Sequence, residues 1–216
     1  MRDTIYTFAK KVPTSRTGLC IQIFLVFILP ILLIQLGILP LHYRIWILVG
    51  ITTLLVAILI HQRWTLTMLG ISTHAMQKAC VPYAFFTTVA VLGIALFGEG
   101  IGREEMSHWW MHGHFLYGFF ITSLFQEIAY RGYLIPALAK IIPKRSFVII
   151  ANAFLFMILH SIFPTPALGL PLAFVGGMGF AFMYLRYPNL PLIIVSHAII
   201  NFFVVLYGFF MVPGMI

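Results

Sequence analysis

Six polar side chains interrupt long hydrophobic stretches of this sequence: Gln126, Glu127, Arg131, His160, His197 and Asn201. A strongly polar group at membrane depth is costly, so such groups mark candidate functional sites, particularly when several can meet. Glu127 and Arg131 are four residues apart, which predicts an ion pair on one helix face. His197 and Asn201 have the same spacing and can both donate hydrogen bonds toward one point. Two such donors suit an oxyanion.

The surrounding residues are typical of membrane-spanning helices. Of the 216 residues, 62% are hydrophobic and 8% are charged. The apolar residues occur in runs of about 20, the helical length that crosses a hydrocarbon layer. We therefore predict an all-α polytopic membrane protein of about seven transmembrane helices, with the polar site between the fourth, fifth and seventh. The predicted spans are 18–39, 44–61, 82–98, 112–139, 146–163, 167–186 and 189–211.

The basic residues predict the orientation of the chain. With the N-terminus in the cytoplasm, ten of the 13 Lys and Arg residues lie inside, and Arg44 and Arg103 lie outside. We expect a multi-pass protein of a prokaryotic cytoplasmic membrane, with a basic cytoplasmic segment at 1–17 and a single membrane domain at 18–211. Residues 64–78 are expected to lie at the lipid interface. The net charge of +8 is scattered between apolar runs, which argues against a nucleic-acid partner.

The polar groups are predicted to lie at one level of the membrane. At about 1.5 Å per residue from the nearest cytoplasmic basic residue, Gln126, His160 and Asn201 are each about 21 to 22 Å deep, and His197 about 16 Å. This level is in the outer half of the bilayer, so we expect access from the outer leaflet. Glycines 176, 177 and 179, in the sixth predicted span, should let a neighbouring helix approach closely.

Three motifs lie on the fourth, fifth and seventh predicted helices: Gln-Glu-x-x-x-Arg-Gly at 126–132, Phe-x-x-x-His at 156–160 and His-x-x-x-Asn at 197–201. Their order and spacing resemble those of the CAAX protease and bacteriocin-processing membrane proteins, also called the Abi family, over about residues 64–205. The resemblance implies a glutamic-type intramembrane endopeptidase without a cofactor, although a divalent metal is left open. Its expected partners are the lipid bilayer and a membrane-anchored or hydrophobic-tailed peptide, such as a C-terminal sorting tail or a peptide precursor.

The resemblance also implies a role for each polar residue. The implied roles are water activation by position 126 with His160, oxyanion stabilisation by His197 with Asn201, and bracing of the fourth helix by Glu127 with Arg131.

This chain departs from the family pattern at its first glutamate, where it has Gln126. A carboxamide cannot take a proton from water, so general-base catalysis should largely fail in the chain as written. Three explanations stay open. The glutamine is a deliberate replacement that silences the enzyme or traps a substrate, or it marks a natural non-catalytic relative, or Glu127 or His160 alone serves as the base.

Other functions fit the residues less well. The sequence has no His-Glu-x-x-His motif, and its only aspartate is Asp3, which excludes an intramembrane aspartyl pair. Ser161 and Ser196 adjoin the two histidines, but no Gly-x-Ser-x-Gly motif precedes either. The alternative of another class is a non-catalytic scaffold that binds a peptide, or a small transporter. A transporter would more naturally show inverted repeats, and none is visible.

A second polar cluster precedes the fourth predicted span and contains Glu104, Glu105, His108, His112 and His114. On a helix, Glu104, His108 and His112 would share one face and could bind zinc or copper. However, the cluster falls in a predicted external loop beside a pair of tryptophans at 109–110, which is typical of an interfacial aromatic belt. We therefore expect a solvated interface here.

Overall fold

The computed structural model describes residues 4–11, 14–71, 73–111, 118–163 and 166–210. Ten α-helices, linked by 3-10 and π-helical turns, account for most of these residues, and no β-strand occurs among them. The predicted all-α class is confirmed. The α-helices are α1 Thr4–Lys11, α2 Arg16–Ile23, α3 Leu29–Gln35, α4 Arg44–His61, α5 Thr73–Gly100, α6 Phe119–Glu127, α7 Ile135–Ile141, α8 Arg145–Leu159, α9 Pro166–Arg186 and α10 Leu190–Leu206.

Several helical stretches are suited to crossing a membrane. By length and composition, five within the described residues qualify: Arg16–Gln35, Leu41–His61, Leu66–Gly100, Arg145–Ile162 and Ala167–Arg186. Helix α10 is apolar but shorter. Large apolar side chains cover the outside of the bundle, with Trp46 73% and Phe85 72% exposed. A multi-pass membrane protein explains these features, because apolar side chains are stable against lipid. The count of seven spans stays a prediction.

The predicted spans differ from the helices by up to five residues at most ends. The predicted start of the fourth span, residue 112, lies outside the described residues. One end within the described residues differs by more. Helix α5 begins at Thr73, whereas the predicted span begins at residue 82. Pro82 lies inside this helix, and such prolines are tolerated in membrane helices because neighbouring groups satisfy the freed backbone. The predicted interfacial segment 64–78 is therefore divided: Leu66–Leu69 forms a 3-10 turn, and the residues from Thr73 onward belong to α5.

Helix α1 is a feature that the sequence interpretation missed. It is an amphipathic helix inside the segment expected to be a basic cytoplasmic stretch. Ile5 and Ala9, four residues apart on one face, are buried at 4% and 1% exposure. The helix packs on α7 and on the Leu66–Leu69 turn. Residues 1–3 and 12–13 of this segment lie outside the described residues.

Two π-helical segments, Phe24–Ile28 and Ile128–Leu134, each come just before a proline. In a regular α-helix, Pro30 or Pro136 would lack a donor, and its ring would clash with the carbonyl four residues earlier. We attribute the wider π-helical turns to this conflict. The second segment joins α6 to α7, so the polar helix runs without a break from Phe119 to Ile141.

Helices α8 and α9 pack closely at a glycine, as predicted. A Cβ on Gly177 would lie 3.0 Å from Ala153 Cα, so the backbone of α8 would have to move by a few tenths of an ångström to admit a side chain. At Gly179 a Cβ would lie 2.9 Å from the Phe86 ring of α5. Gly176 is different, because a Cβ there would meet only a side-chain atom at 4.0 Å. The predicted close approach of a neighbouring backbone is therefore confirmed at Gly177, whereas the near atoms at Gly179 belong to a side chain.

Candidate active site

Helices α6 and α10 are joined by two polar contacts. His197 Nδ1 lies 2.5 Å from Glu127 Oε1. One turn along each helix, Asn201 Nδ2 donates to Ser123 Oγ over 3.3 Å. The residue numbers rise on one helix as they fall on the other, so the helices are antiparallel and the contacts form successive rungs. His197 and Asn201 thus share a helix face, as their spacing predicted.

The predicted ion pair within α6 and its π-helical extension is confirmed. Arg131 Nη1 lies 2.8 Å from Glu127 Oε1, and both side chains are fully buried. The guanidinium also donates to the Gly177 carbonyl over 3.4 Å. Its carbon lies 4.7 Å from the centre of the Phe156 ring and 5.2 Å from that of Phe180. A buried cation is stabilised by such contacts with aromatic faces.

Glu127 therefore contacts two partners, because the same carboxylate oxygen pairs with Arg131 and with His197. The contact with His197 is one that the sequence did not predict. It fixes the orientation of the imidazole, whose ring is 1% exposed and packs 4.6 Å from the Phe180 ring. With Nδ1 on the carboxylate, Nε2 is the ring nitrogen left for other contacts.

His160 lies where α8 ends and the 3-10 turn His160–Ile162 begins. Its Nδ1 is 2.8 Å from the Phe156 carbonyl oxygen. A carbonyl oxygen carries no hydrogen, so Nδ1 must be the donor in this contact. In the neutral ring Nε2 is then an acceptor, which is the form that can receive a proton from water.

Gln126 is buried at 8% exposure on a different face of α6 from Glu127. Its Oε1 has no hydrogen-bond partner within the described residues. A buried oxygen left without a partner costs about 1–3 kcal/mol. Such a group is unusual in a packed interior and is expected where water or a ligand is bound.

Two cavities meet at His160 and Asn201. The smaller cavity, of about 100 Å³, has mostly apolar walls but is also lined by Gln126, His160 and Asn201, and for these side chains we call it the polar cavity. The apolar cavity, of about 580 Å³, lies between α5, α9 and α10 and is lined by His160, His197, Asn201 and many apolar side chains. Glu127 and Arg131 line neither cavity. The structure thus brings the six predicted residues together, with four on cavity walls and two behind them.

Three polar residues near the site were not singled out from the sequence. Ser123 accepts the contact from α10, and Asn152 Nδ2 donates to the Tyr130 carbonyl over 3.0 Å. Thr52 Oγ1 donates to the Phe125 carbonyl over 3.2 Å. These bonds stabilise the helix that carries the site, including its π-helical part. A polar residue within an apolar run was the signal that could have identified each of them.

The described part of the second polar cluster, residues 104–108, does not form the helix face on which the metal-binding alternative depended. Glu104 and His108 do not share a helix face, because residues 103–108 are not helical and His108 has a φ of 54°. The helix that the metal-binding alternative required is therefore not present here: α5 ends at Gly100, and Gly102, with a φ of 73°, turns the chain away. His112 and His114 lie outside the described residues. Within those residues, no three His, Cys, Asp or Glu side chains are grouped to hold a metal ion.

Comparison with protein families gives a match for part of the chain. Residues 108–203 match the family model described as "Type II CAAX prenyl endopeptidase Rce1-like". This segment contains all three motifs, from position 126 to Asn201, and it confirms the resemblance found in the sequence. Because the Rce1-like family is a protease family, the match supports a CAAX-type intramembrane protease with a peptide substrate. Comparison with curated proteins and with solved structures gives no match.

Proposed function

We propose that this chain has the site of an intramembrane endopeptidase that hydrolyses a peptide bond in a membrane-anchored or hydrophobic-tailed peptide. In this proposal residue 126, as a glutamate, activates water together with His160, and Gln126 leaves the chain as written inactive. The observation that carries the proposal is the meeting of Gln126, His160 and Asn201 in one small cavity, with Gln126 Oε1 buried and without a partner.

The chemistry of the polar cavity supports water activation. Its volume of about 100 Å³ is enough for a few waters, since each occupies about 30 Å³ in the liquid. A carboxylate at position 126 and Nε2 of His160 would both accept hydrogen bonds from such a water. General-base assistance of this kind contributes about 10²- to 10⁴-fold to a rate. The glutamine has the same shape but a non-basic oxygen, so it would hold water without taking its proton.

The face of α10 supplies candidates for oxyanion stabilisation. His197 lines the apolar cavity, and Asn201 lines both cavities, so their donors lie beside the place where the water would attack. An imidazolium held by Glu127 through Nδ1 would donate from Nε2. The loss of one oxyanion donor typically costs about 10²- to 10³-fold in rate. In this proposal Glu127 positions His197 rather than reacting itself.

The apolar cavity supports the choice of a hydrophobic peptide. Its walls from α5 and α9 include Phe86, Val89 and Leu172, and it extends to His160 and His197. Cavities of this size and lining bind ligands largely through apolar contact. A hydrophobic tail or an apolar peptide segment could therefore bind here while the scissile bond lies at the polar end.

Gln126 also supports a second candidate, a relative that binds a peptide without cutting it. Glu127 is a poor replacement for the missing base, because it is fully buried, lines neither cavity and already pairs with Arg131 and His197. If no other base is available, the natural role of this chain would be recognition of the peptide.

Mapping of new protein termini tests the proposal. The chain as written and its Gln126→Glu variant would be expressed in the same host membranes, and mass spectrometry would identify termini that appear only with one of them. New termini are expected with Gln126→Glu alone, and they should disappear when His160→Ala is added. Tight peptide binding with no cleavage by either protein would support the scaffold and overturn the endopeptidase.

A further inference from the structure

We propose that Phe210 is a gate between the two cavities: its ring closes the passage through which a peptide bond reaches the water held at residue 126. The gating of a peptide rests on the proposed function, whereas the closed passage itself depends only on packing. Sequence analysis placed residue 210 within the seventh predicted span and gave it no role.

The first observation is the wall that the two cavities share. Within the described residues, three side chains line both cavities: His160, Asn201 and Phe210. The first two belong to the motifs and carry polar groups. Phe210 is the apolar member of this wall and is 8% exposed. A group that moves from one cavity to the other must therefore pass between these three side chains.

The second observation is the packing of the Phe210 ring against His160. The centres of these two rings are 4.8 Å apart, and the centre of the Phe163 ring lies 5.4 Å from that of Phe210. Gly169 of α9 leaves space for the ring, since a Cβ there would lie 2.7 Å from Phe210 Cε1. The ring thus fills the space beside the imidazole that is proposed to accept a proton from water.

The backbone that leads to Phe210 is anchored independently of its ring. Helix α10 ends at Leu206, and a turn follows. Arg103 Nη1 donates to the Tyr207 carbonyl over 3.2 Å and to the Gly208 carbonyl over 2.7 Å. Rotation of the Phe210 side chain would open the passage without breaking these bonds. The ring would turn into the apolar cavity, which it already lines, so the movement would not expose its apolar surface to water.

The proposed reaction needs this passage to open. The apolar cavity is open to lipid on the outside of the bundle, since Val89 and Val175 line it and are 52% and 60% exposed. Reacting atoms must come within about 3–3.5 Å of each other, so the peptide carbonyl must reach the water between residue 126 and His160. A peptide that lies in the apolar cavity reaches this point across the wall that contains Phe210.

Thiol labelling tests the gate without requiring catalysis. The native cysteines Cys20 and Cys80 are exposed, so both would be replaced by alanine. Gln126→Cys would then place one thiol in the polar cavity. The protein would be held in phosphatidylcholine nanodiscs and labelled with N-benzylmaleimide, which dissolves in lipid, or with a positively charged thiosulfonate, which does not.

We expect Phe210→Ala to raise the maleimide rate at position 126 at least about 10-fold, because a minor open state is populated at about 0.1–10%. Gly169→Ala should also raise this rate, because its Cβ would push the ring from its place. The charged reagent should keep its rate, since it does not enter from lipid. A thiol introduced by Leu172→Cys lies on the wall of the apolar cavity alone, so its maleimide rate should not change with Phe210→Ala.

Two matched controls change neighbouring positions. Phe209→Ala removes the adjacent ring, which stacks on Phe97 and lines neither cavity. Gly176→Ala is on the same helix as Gly169, but its Cβ would meet only a side-chain atom at 4.0 Å. Both controls should leave the maleimide rate at position 126 near its original value.

An unchanged maleimide rate in Phe210→Ala would overturn the gate. An equal rise in Phe209→Ala, or an equal rise for the charged reagent, would also overturn it, because either result would show a general loosening of the bundle. If Phe210→Ala does not fold, Gly169→Ala decides the question by the same comparison. Labelling does not depend on cleavage, so a closed passage in a chain whose Gln126→Glu variant cuts no peptide would contradict the proposed function alone.

Discussion

Replacement of Glu127 by glutamine should strongly destabilise the fold. Glu127→Gln keeps the size of the side chain but removes the charge that pairs with Arg131 at 2.8 Å. Arg131 is fully buried, so its cation would be left with neutral partners: the amide oxygen of residue 127, the Gly177 carbonyl and the faces of Tyr130, Phe156 and Phe180. Breaking a buried ion pair by removing one partner costs about 3–5 kcal/mol. Because the aromatic contacts remain, we expect a loss of about 3 kcal/mol in the free energy of unfolding.

A double-mutant cycle measures this coupling directly. Arg131→Met removes the buried cation, so Glu127→Gln should cost less in that background than in the original chain. The difference is expected to be about 1–3 kcal/mol, the range for contacting residues. Unfolding would be followed by circular dichroism in mixed micelles while the fraction of a denaturing detergent is raised. Ser123→Ala is the control, because it removes one neutral hydrogen bond at 3.3 Å and should cost about 1 kcal/mol.

Two results would refute this reasoning. One is a Glu127→Gln protein whose free energy of unfolding is within about 1 kcal/mol of the original, the size expected for one neutral hydrogen bond. The other is strict additivity of the two substitutions, which would mean that Glu127 and Arg131 do not depend on each other.

The remaining predictions concern helix packing and a hydrogen bond to a backbone carbonyl around the site. Gly177→Ala should cost about 1–3 kcal/mol of stability, because its Cβ would overlap Ala153 Cα. Gly176→Ala should leave the detergent-unfolding midpoint nearly unchanged, and equal effects of the two substitutions would contradict the packing described. Asn152→Leu should cost about 1–3 kcal/mol, since it removes a donor to the buried Tyr130 carbonyl. Faster amide hydrogen exchange in the 128–134 segment of Asn152→Leu would show the lost backbone contact. Unchanged exchange there would argue against a role of Asn152 in stabilising this segment.

Much of the fold could be predicted from run length and charge. Arg44, Arg145 and Arg186 each mark a helix end that lies within one residue of the prediction, because a cation without a buried ion-pair partner favours the lipid interface. Helix α5 was predicted too short because residues 64–78 were interpreted as an interfacial segment, so that the span was placed from Pro82 onward. The surrounding membrane helices tolerate that proline, and the sequence of α5 alone does not reveal this.

The site was predictable within each helix but not between helices. A spacing of four residues was enough to predict the Glu127–Arg131 pair, since that contact depends only on helix geometry. The contact from Glu127 to His197 spans 70 positions and depends on how two helices are rotated against each other. No local pattern encodes that rotation. For the same reason Ser123 and Asn152, which contact other helices, could not be assigned partners from the sequence.

The most direct test of the role of residue 126 is the cleavage rate of purified protein in nanodiscs, with a peptide identified by terminal mapping. Gln126→Glu should cleave it about 10²- to 10⁴-fold faster than the chain as written, the usual contribution of a general base. The double variant Gln126→Glu/Glu127→Gln, measured under conditions in which it remains folded, should cleave more slowly than Gln126→Glu. The reason is that residue 127 would no longer hold His197 in its orientation. Equal cleavage rates for glutamine and glutamate at position 126 would contradict the assignment of this position as the base.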